Sequence, residues 1–453
     1  MGEKILKGER GILDHVSSTT GLSAWLIYEP VPLNGWSLNN TFIKSDIEMN
    51  VDSLRKQLVR ICVVALLFLW SLASIVLGVH RGNEKRLWLM SAVTAVLFLA
   101  GIGYVWHLAL SFNRDNDEDT VRITTQPTLN TLMNKYTEEC AGRHTEPPVY
   151  IRTGIFLESV RLTGACDVAV SGFIWQTYSD SMHGGLAREF QIGDAQDVKV
   201  TEIYRHKEGD EEILRWSFQA SLTEGFDDSE YPLNQETISI PLLHKDLNHN
   251  VVLVPDLRAY RVTSPTSLPG LEKDILVPGW TVMRSFFNFR KRTYDTDFGV
   301  ERSVLKENFP ALALSVVVRR NFLDSFVSCL TPLIVVALLL FSIFFLSTKD
   351  PEKIKLLGVS PGRFLGFCAG LFFVVVFSHI GTREAVSAKE IFYLEYFYLV
   401  MYLTLLWVSV NAILHILADK ILFIQYSDNL ISKLLYWPVL LALLFGITVV
   451  FFY

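Results

Sequence analysis

Two kinds of hydrophobic pattern alternate along the chain. Residues 61–79 (ICVVALLFLWSLASIVLGV) carry no charge, and as a helix rising about 1.5 Å per residue they are long enough to cross roughly 30 Å of hydrocarbon. A second apolar run, 87–112, follows the basic connector 80–86 (HRGNEKR), and the pair predicts a transmembrane helical hairpin within residues 56–112. About 60 residues precede it and no small-residue cleavage site follows, so it reads as a retained element rather than a signal peptide. Four more runs, at 325–348, 364–382, 391–417 and 434–453, predict a four-helix bundle over 321–453.

The polar stretch 113–320 has a different period. VYIRTGIFLESV and DVAVSGFIWQTY alternate within 149–178 on either side of a turn signal at Thr163-Gly164, the pattern of a long hairpin. Further period-two or β-branched runs lie at 198–204, 213–222, 237–243, 250–254, 280–289 and 311–318, separated by clusters such as KEGDE, EGFDDSEYP, TSPTSLPG and TYDTDFG. Roughly eight to ten short strands with no sustained 3.6-residue period predict an antiparallel sandwich or barrel over 148–320. Residues 1–55 read as irregular, and 113–147 as a linker with a short helix. The expected fold class is a mixed membrane protein: an antiparallel β-sandwich, then a four-helix transmembrane bundle, with an N-terminal transmembrane hairpin.

Composition agrees with this division. Half of the residues are hydrophobic and 19% charged, against about a quarter charged in soluble domains. A formal net charge of -6 gives no global basic field, so nucleic acid is not an expected partner. Of five cysteines, Cys62, Cys329 and Cys368 lie in apolar runs; Cys140 and Cys166 lie in polar sequence, where one disulfide and two free thiols are both open readings. Lys and Arg in short loops mark the cytoplasmic side. Arg81, Lys85 and Arg86 in the hairpin loop, and Lys349, Lys353, Lys355 and Arg363 after the third span, put the sandwich and both termini outside. Arg55, Lys56 and Arg60 before the first span oppose that orientation. No GxSxG, HExxH or phosphate-cradling loop occurs, and His183, His206, His244 and His249 fit no usual zinc spacing and read as surface histidines. No enzyme, cofactor or metal is expected.

Several patterns, in order, resemble a known family. TGIFLES followed by VAVSGFIWQTYSD is similar to a first pair of strands, the second ending in an aromatic-x-Asp (Tyr178-Ser179-Asp180). LRWSFQASLTEGFDDSEYPLNQETISIPL resembles a strand, a loop with an aromatic-Pro-x-Asp core, here Tyr231-Pro232-Leu233-Asn234, and the next strand. SVVVRRNFLDSFVSCLTPLIVVALLLFSIFF resembles a last strand entering a first channel helix through arginine, with a mid-helix proline at Pro332. SPGRFLGF resembles the start of an anion-selective pore helix. Together they resemble the pentameric ligand-gated ion channels, the Cys-loop receptor superfamily, in its prokaryotic form, because the two cysteines of the eukaryotic branch are missing around Tyr231 to His244. The resemblance covers residues 148–453. Asn234 departs from the usual acid, with Asp227, Asp228 or Glu230 as substitutes for its partnership with the entry arginine, and the first 145 residues have no counterpart.

The resemblance implies a homopentamer in a cell membrane, bacterial inner membrane by branch, with the sandwich extracytoplasmic and a small molecule or proton as ligand. It points one face of the helix begun by Pro361 at the five-fold axis: Leu365, Ala369, Phe372, Val376, His379 and Arg383. Apolar rings at Leu365, Phe372 and Val376 would gate by dewetting, and Arg363, His379 and Arg383 would favour anions. It implies an interfacial ligand site from Phe173 and Trp175, which alternation puts on one strand face, with His244, Arg290, Tyr294 and Phe298, suited by Arg290, Lys291 and Arg292 to an acidic ligand. Coupling would fall to Asp227, Asp228, Glu230, Tyr231, Pro232, Arg319, Arg320, the Gly164 turn and the 383–389 linker ending in Lys389. Glu395, Asn411 and His107 are polar residues within spans. A second reading stays open: a non-conducting membrane sensor or scaffold whose sandwich binds a ligand or a partner protein.

Overall fold

The computed structural model describes residues 11–16, 23–30, 37–43, 51–76, 83–111, 121–142, 146–162, 166–246, 249–293, 309–348, 361–386, 390–417, 426 and 428–452. The chain divides into two units. One holds residues 1–48, 115–226 and 235–319; the other holds 49–114, 227–234 and 320–453.

In the first unit β1 (Gly11–Val16), β2 (Ser23–Pro30) and β3 (Ser37–Ile43) form an antiparallel sheet in the order β1-β2-β3. This corrects the expectation of an irregular segment; the strand sequences hold no sustained alternation for a pattern reading to find. The remaining strands are β4 (Arg122–Ile123), β5 (Val149–Leu162), β6 (Asp167–Ser179), β7 (Phe190–Ile192), β8 (Ala195–Glu208), β9 (Glu211–Thr223), β10 (Gln235–His244), β11 (Val251–Pro255), β12 (Trp280–Arg292) and β13 (Phe309–Arg320). They make two five-stranded sheets, β4-β12-β13-β10-β7 and β11-β5-β6-β9-β8. Alternation turns Val168, Val170, Ile174 and Tyr178 of β6 and Leu214, Trp216, Phe218 and Ala220 of β9 inward, where they meet Ile238, Ile240, Leu314 and Val316 in one core. The result is a β-sandwich, with one departure from the antiparallel expectation: β11 pairs with β5 in parallel. Every strand run expected between 149 and 318 is present; the Gly164 turn lies outside the described residues.

A helix, α3, completes this unit at Gln126–Gly142; α1 and α2 belong to the second. Leu129, Leu132, Met133, Tyr136 and Cys140 recur at helical spacing and all pack on the sandwich core or lie buried. Thr125 caps its start, its hydroxyl accepting the Thr128 amide at 3.4 Å. All five cysteines are free thiols.

The second unit contains α1 (Val51–Val76), α2 (Glu84–Ser111), α4 (Phe322–Leu346), α5 (Pro361–Val386), α6 (Glu395–Leu417) and α7 (Leu430–Phe452). Among the described residues, five helices are long and apolar enough to cross a membrane, which is the property of a membrane protein; α1 covers most of the first expected span, with 77–79 outside the described residues. α5 packs on α4 and α6, α7 packs on α4, α6 and α2, and α1 lies on α2. A π turn at Phe326–Leu330 precedes Pro332 in α4. Asn411 of α6 donates to Ser432 of α7 at 2.9 Å, whereas His107 is exposed and lies 3.5 Å from Ser111 of its own helix. The lysines of the 349–360 loop, and Arg81, lie outside the described residues.

Gly172 pairs with Leu157 beside a register shift in β5, and a methyl group there would sit 2.0 Å from the Phe156 carbonyl oxygen. Since the obstacle is backbone, Gly172→Ala is expected to lower the stability of the sandwich unit by about 1–3 kcal/mol, read by chemical denaturation; an unchanged midpoint would show that the bulge relaxes freely.

Candidate functional site

The most tightly specified polar group in the helical unit surrounds the loop between β9 and β10. Residues 227–234 belong to that unit. Asp227 accepts the Ser229 amide at 3.0 Å and starts a 3-10 turn over Asp228–Glu230; Tyr231 donates its amide to Asp228 O at 3.0 Å. Tyr231 and Leu233 then enter the helical core, with Tyr231 edge-on to Phe392 at 5.5 Å and its hydroxyl 3.7 Å from Cys329 Sγ. The Tyr231–Pro232 peptide is cis.

Arg320, where β13 gives way to α4, holds this loop. Its Nε donates to Asn234 Oδ1 at 3.1 Å, its Nη2 to Asp228 Oδ1 at 3.3 Å, and its guanidinium lies 4.8 Å over the Tyr231 ring. Asn234 closes the set by donating to Asp228 at 3.1 Å. Of the three candidate acids, Asp228 takes the ion pair, and Asn234 bridges the two charges. Burial pushes the Asp228 carboxyl above its ordinary range, and Arg320 pulls it back only in part. The start of α6 joins through the Tyr393 amide, which donates to Ser229 O at 2.7 Å. Arg319 pairs with Gln235 in the strand ladder. Lys389 lies outside the described residues.

On α5, Phe364, Cys368, Val375, Thr382 and Val386 form the buried stripe. The face expected to line a pore is the flank toward α6: Leu365 and Phe372 are partly exposed, and Phe372 contacts Tyr402 at 5.6 Å. Ala369 is exposed and Val376 half-buried. His379 stacks on Tyr398 at 4.8 Å, takes Tyr402 Oη at 3.1 Å on Nδ1 and bonds Glu395 Oε1 at 2.9 Å through Nε2. Arg383 pairs with the same carboxylate oxygen. Glu395 is therefore the first residue of α6 and a shared counter-ion, 4% exposed, its Oε2 without a partner. Side chains turned furthest from the buried stripe are Phe373, Phe377 and Ile380, 58%, 70% and 50% exposed. Period 3.6 names stripes on a helix but not which one faces a neighbour.

Of the expected ligand residues, Phe173 and Trp175 do share the outer face of β6, half-buried. Trp175 lies across Gly154, where a methyl group would come within 2.1 Å of the indole, and it donates to Asp256 Oδ2 at 3.1 Å. In register beside it are Arg215 and then Tyr204, the guanidinium 5.5 Å from the Tyr204 ring. His244 is not available: it is 2% exposed, its Nε2 bonding Ala187 O at 2.9 Å and its Nδ1 accepting the Asp246 amide at 3.1 Å. His183 is likewise buried, between the Ser179 amide and Tyr150 O. These two correct the surface reading of the histidines. Arg290 faces Glu224 at 3.9 Å. Tyr294 and Phe298 lie outside the described residues. A cleft of about 280 Å³ that the sequence did not announce opens between α3 and the sheet edge, with Arg152, Asp256, Arg258 and Met133 in its wall. No known family matches the chain, and no curated protein is similar to it.

Arg320→Gln leaves the Asp228 carboxylate without its cation, with an expected loss of about 1–3 kcal/mol at neutral pH. The deficit should narrow as pH falls, because a carboxyl whose folded affinity for protons is raised stabilises the fold on protonation. Thermal unfolding of the purified chain at two pH values measures both, and a pH-independent deficit would remove Asp228 as the partner that matters.

Burial holds His183 and His244 below the usual imidazole range. Stability from a depressed pKa is full above about pH 6.5 and is lost as pH falls from there through the folded value. The sandwich should therefore melt earlier at about pH 5 than at about pH 7.5, and His244→Gln should flatten that slope; a steeper one would contradict the assignment.

Proposed function

We propose that the chain is one subunit of a ring-shaped, pentameric channel-like receptor, in which a ligand on an extracytoplasmic β-sandwich alters a pore walled by α5. One observation carries the reading: the loop connecting β9 and β10 is built into the helical unit, clasped by Arg320 at the head of α4 and by the Tyr393 amide at the head of α6. Movement of those strands is then delivered to two helices that flank α5. The least enclosed of the five candidate spans is α5, which supports a place beside identical neighbours.

The wall of the pore runs in this reading from Leu365, Ala369, Phe372 and Val376 round to Phe373 and Phe377, without a hydroxyl among them. Such a constriction excludes ions by dewetting. With Arg383 and His379 engaged by Glu395, anion preference rests on Arg363, which is exposed at the start of α5. The ligand, a small molecule or a proton, would approach the Phe173–Trp175 face, where Arg215 lies over Tyr204 and the exposed cation and rings suit a planar or anionic group. Sandwich and termini outside, a bacterial inner membrane and an N-terminal transmembrane hairpin complete the proposal.

The apolar outward face of α5, led by Phe377, favours a second reading as a non-conducting sensor or scaffold. Particle images of the purified protein and current recording in planar bilayers separate the two. Five-fold rings, with conductance rising in Phe372→Ser or Phe377→Ser, are expected of the channel. Rings that stay silent in both variants across about pH 4 to 8 leave the sensor, and assemblies without rotational closure remove both the pore and the interfacial site.

A further inference from the structure

The first membrane helices have no place in a sandwich-plus-four-helix receptor, yet α2 is wired into the group that holds the 227–234 loop. Trp106, one turn from the end of α2, donates its indole N–H to Tyr393 Oη at 2.8 Å. Tyr393 is fully buried and its hydroxyl lies 2.7 Å from Thr448 Oγ1 of α7, which in turn donates to the Leu444 carbonyl at 2.7 Å. The donors therefore run in one direction: indole to phenol, phenol to threonine, threonine to backbone. That order leaves Tyr393 Oη one acceptor position, and Trp106 fills it. The backbone of the same tyrosine donates to Ser229 O in the loop at 2.7 Å.

Trp106 also reaches the other side of the clasp. Its ring is edge-on to Phe322 at 5.5 Å and stacked on Phe397 at 6.5 Å. Phe322 opens α4, two residues beyond Arg320. One side chain of α2 thus touches the head of α4 and the head of α6, the two points from which the loop is held. Apolar packing against lipid needs no indole N–H, and a phenylalanine would fill the contact with Phe322 and Phe397 alone; the directed hydrogen bond to a buried phenol is what marks the position.

We propose that α2 is a built-in modulator of the 227–234 loop and that Trp106 is the positioning residue through which it acts, setting Tyr393 and hence the amide that grips Ser229. The inference rests on the reading of that loop as the coupling element, but its first test does not need current. Hydrogen–deuterium exchange of the full chain in detergent should show amides of 227–234 and 390–394 exchanging about fivefold faster in Trp106→Phe, the shift expected for loss of one neutral hydrogen bond. Tyr393→Phe, which severs the same bond from the other side, should do likewise, and the double variant should add little to either single change. Leu99→Ala, on the exposed face of the same helix, should leave both segments unchanged.

Unchanged exchange in both segments for a folded Trp106→Phe overturns the proposal. Should that variant not fold, Tyr393→Phe decides in the same way: faster exchange in 227–234 supports it, and no change overturns it. In bilayers, the spontaneous current and the current after an acid step should both change in Trp106→Phe relative to the parent. An exchange effect without current from any variant sinks the channel reading and leaves the positioning role standing; current that ignores Trp106 while exchange responds confines α2 to a structural part.

Discussion

The helical unit is organised around a cation placed where a strand becomes a helix. Arg320 ends β13 and heads α4, and its guanidinium serves a carboxylate, an amide and an aromatic face at once. Each partner is a side chain of the same eight-residue loop, so the arginine ties three points of that loop together. A charge in that position carries a desolvation cost, and the arrangement offsets it by using both Nε and Nη2 of the planar fork. Asp228 remains partly penalised by burial even so, which makes the pair sensitive to whatever alters its surroundings.

Polar chemistry inside the apolar helices follows the same logic of shared partners. Glu395 answers both His379 and Arg383 with one oxygen, and Tyr398 gathers Ser378, Thr382 and the Cys329 carbonyl around one hydroxyl. At the other end of α4, Lys433 donates to Ser347 O at 2.7 Å, a cation at a helix C-terminus where the dipole favours it. These contacts tie α5 to α6 and α4 to α7 by directed bonds, where the hydrophobic effect supplies no preference among apolar neighbours. α2 joins the set through Trp106, so a helix that precedes the sandwich in the chain is part of the same polar scaffold.

The outer face of the second sheet is the other place where polar and aromatic side chains are aligned. Trp175, Arg215 and Tyr204 stand in one cross-strand row because register, not sequence separation, makes them neighbours. Trp175 is immobilised over Gly154 and tied to Asp256, so what it presents is a rigid indole surface. β8, at the edge of this sheet, is exposed along nearly all its length, and its Lys, Arg, Glu and His side chains are of the kind that keep a free edge soluble.

Hydrophobic period alone determined much of this protein. Period-two or β-branched runs located every strand from β5 to β13 apart from the three-residue β7; most have a face in a core that tolerates no slip, while β8 alternates in sequence although it is exposed along nearly all its length. Unbroken apolar runs located the long apolar helices, because a helix satisfies its own backbone hydrogen bonds along its length. A short helix was expected in the 113–147 linker, but its stripe at Leu129, Met133, Tyr136 and Cys140 became visible only where it packs on the sandwich. Tertiary structure decided the rest. A histidine reads the same on a surface as between two backbone groups, and only packing put His183 and His244 in the second state. Sequence named three acids for one arginine; the 3-10 turn chose Asp228. Helical spacing offered several faces of α5, and it took the position of Glu395, sixteen residues from His379, to turn one of them toward α6. Such choices depend on which distant segments meet, and a one-dimensional pattern carries distance along the chain but not across it.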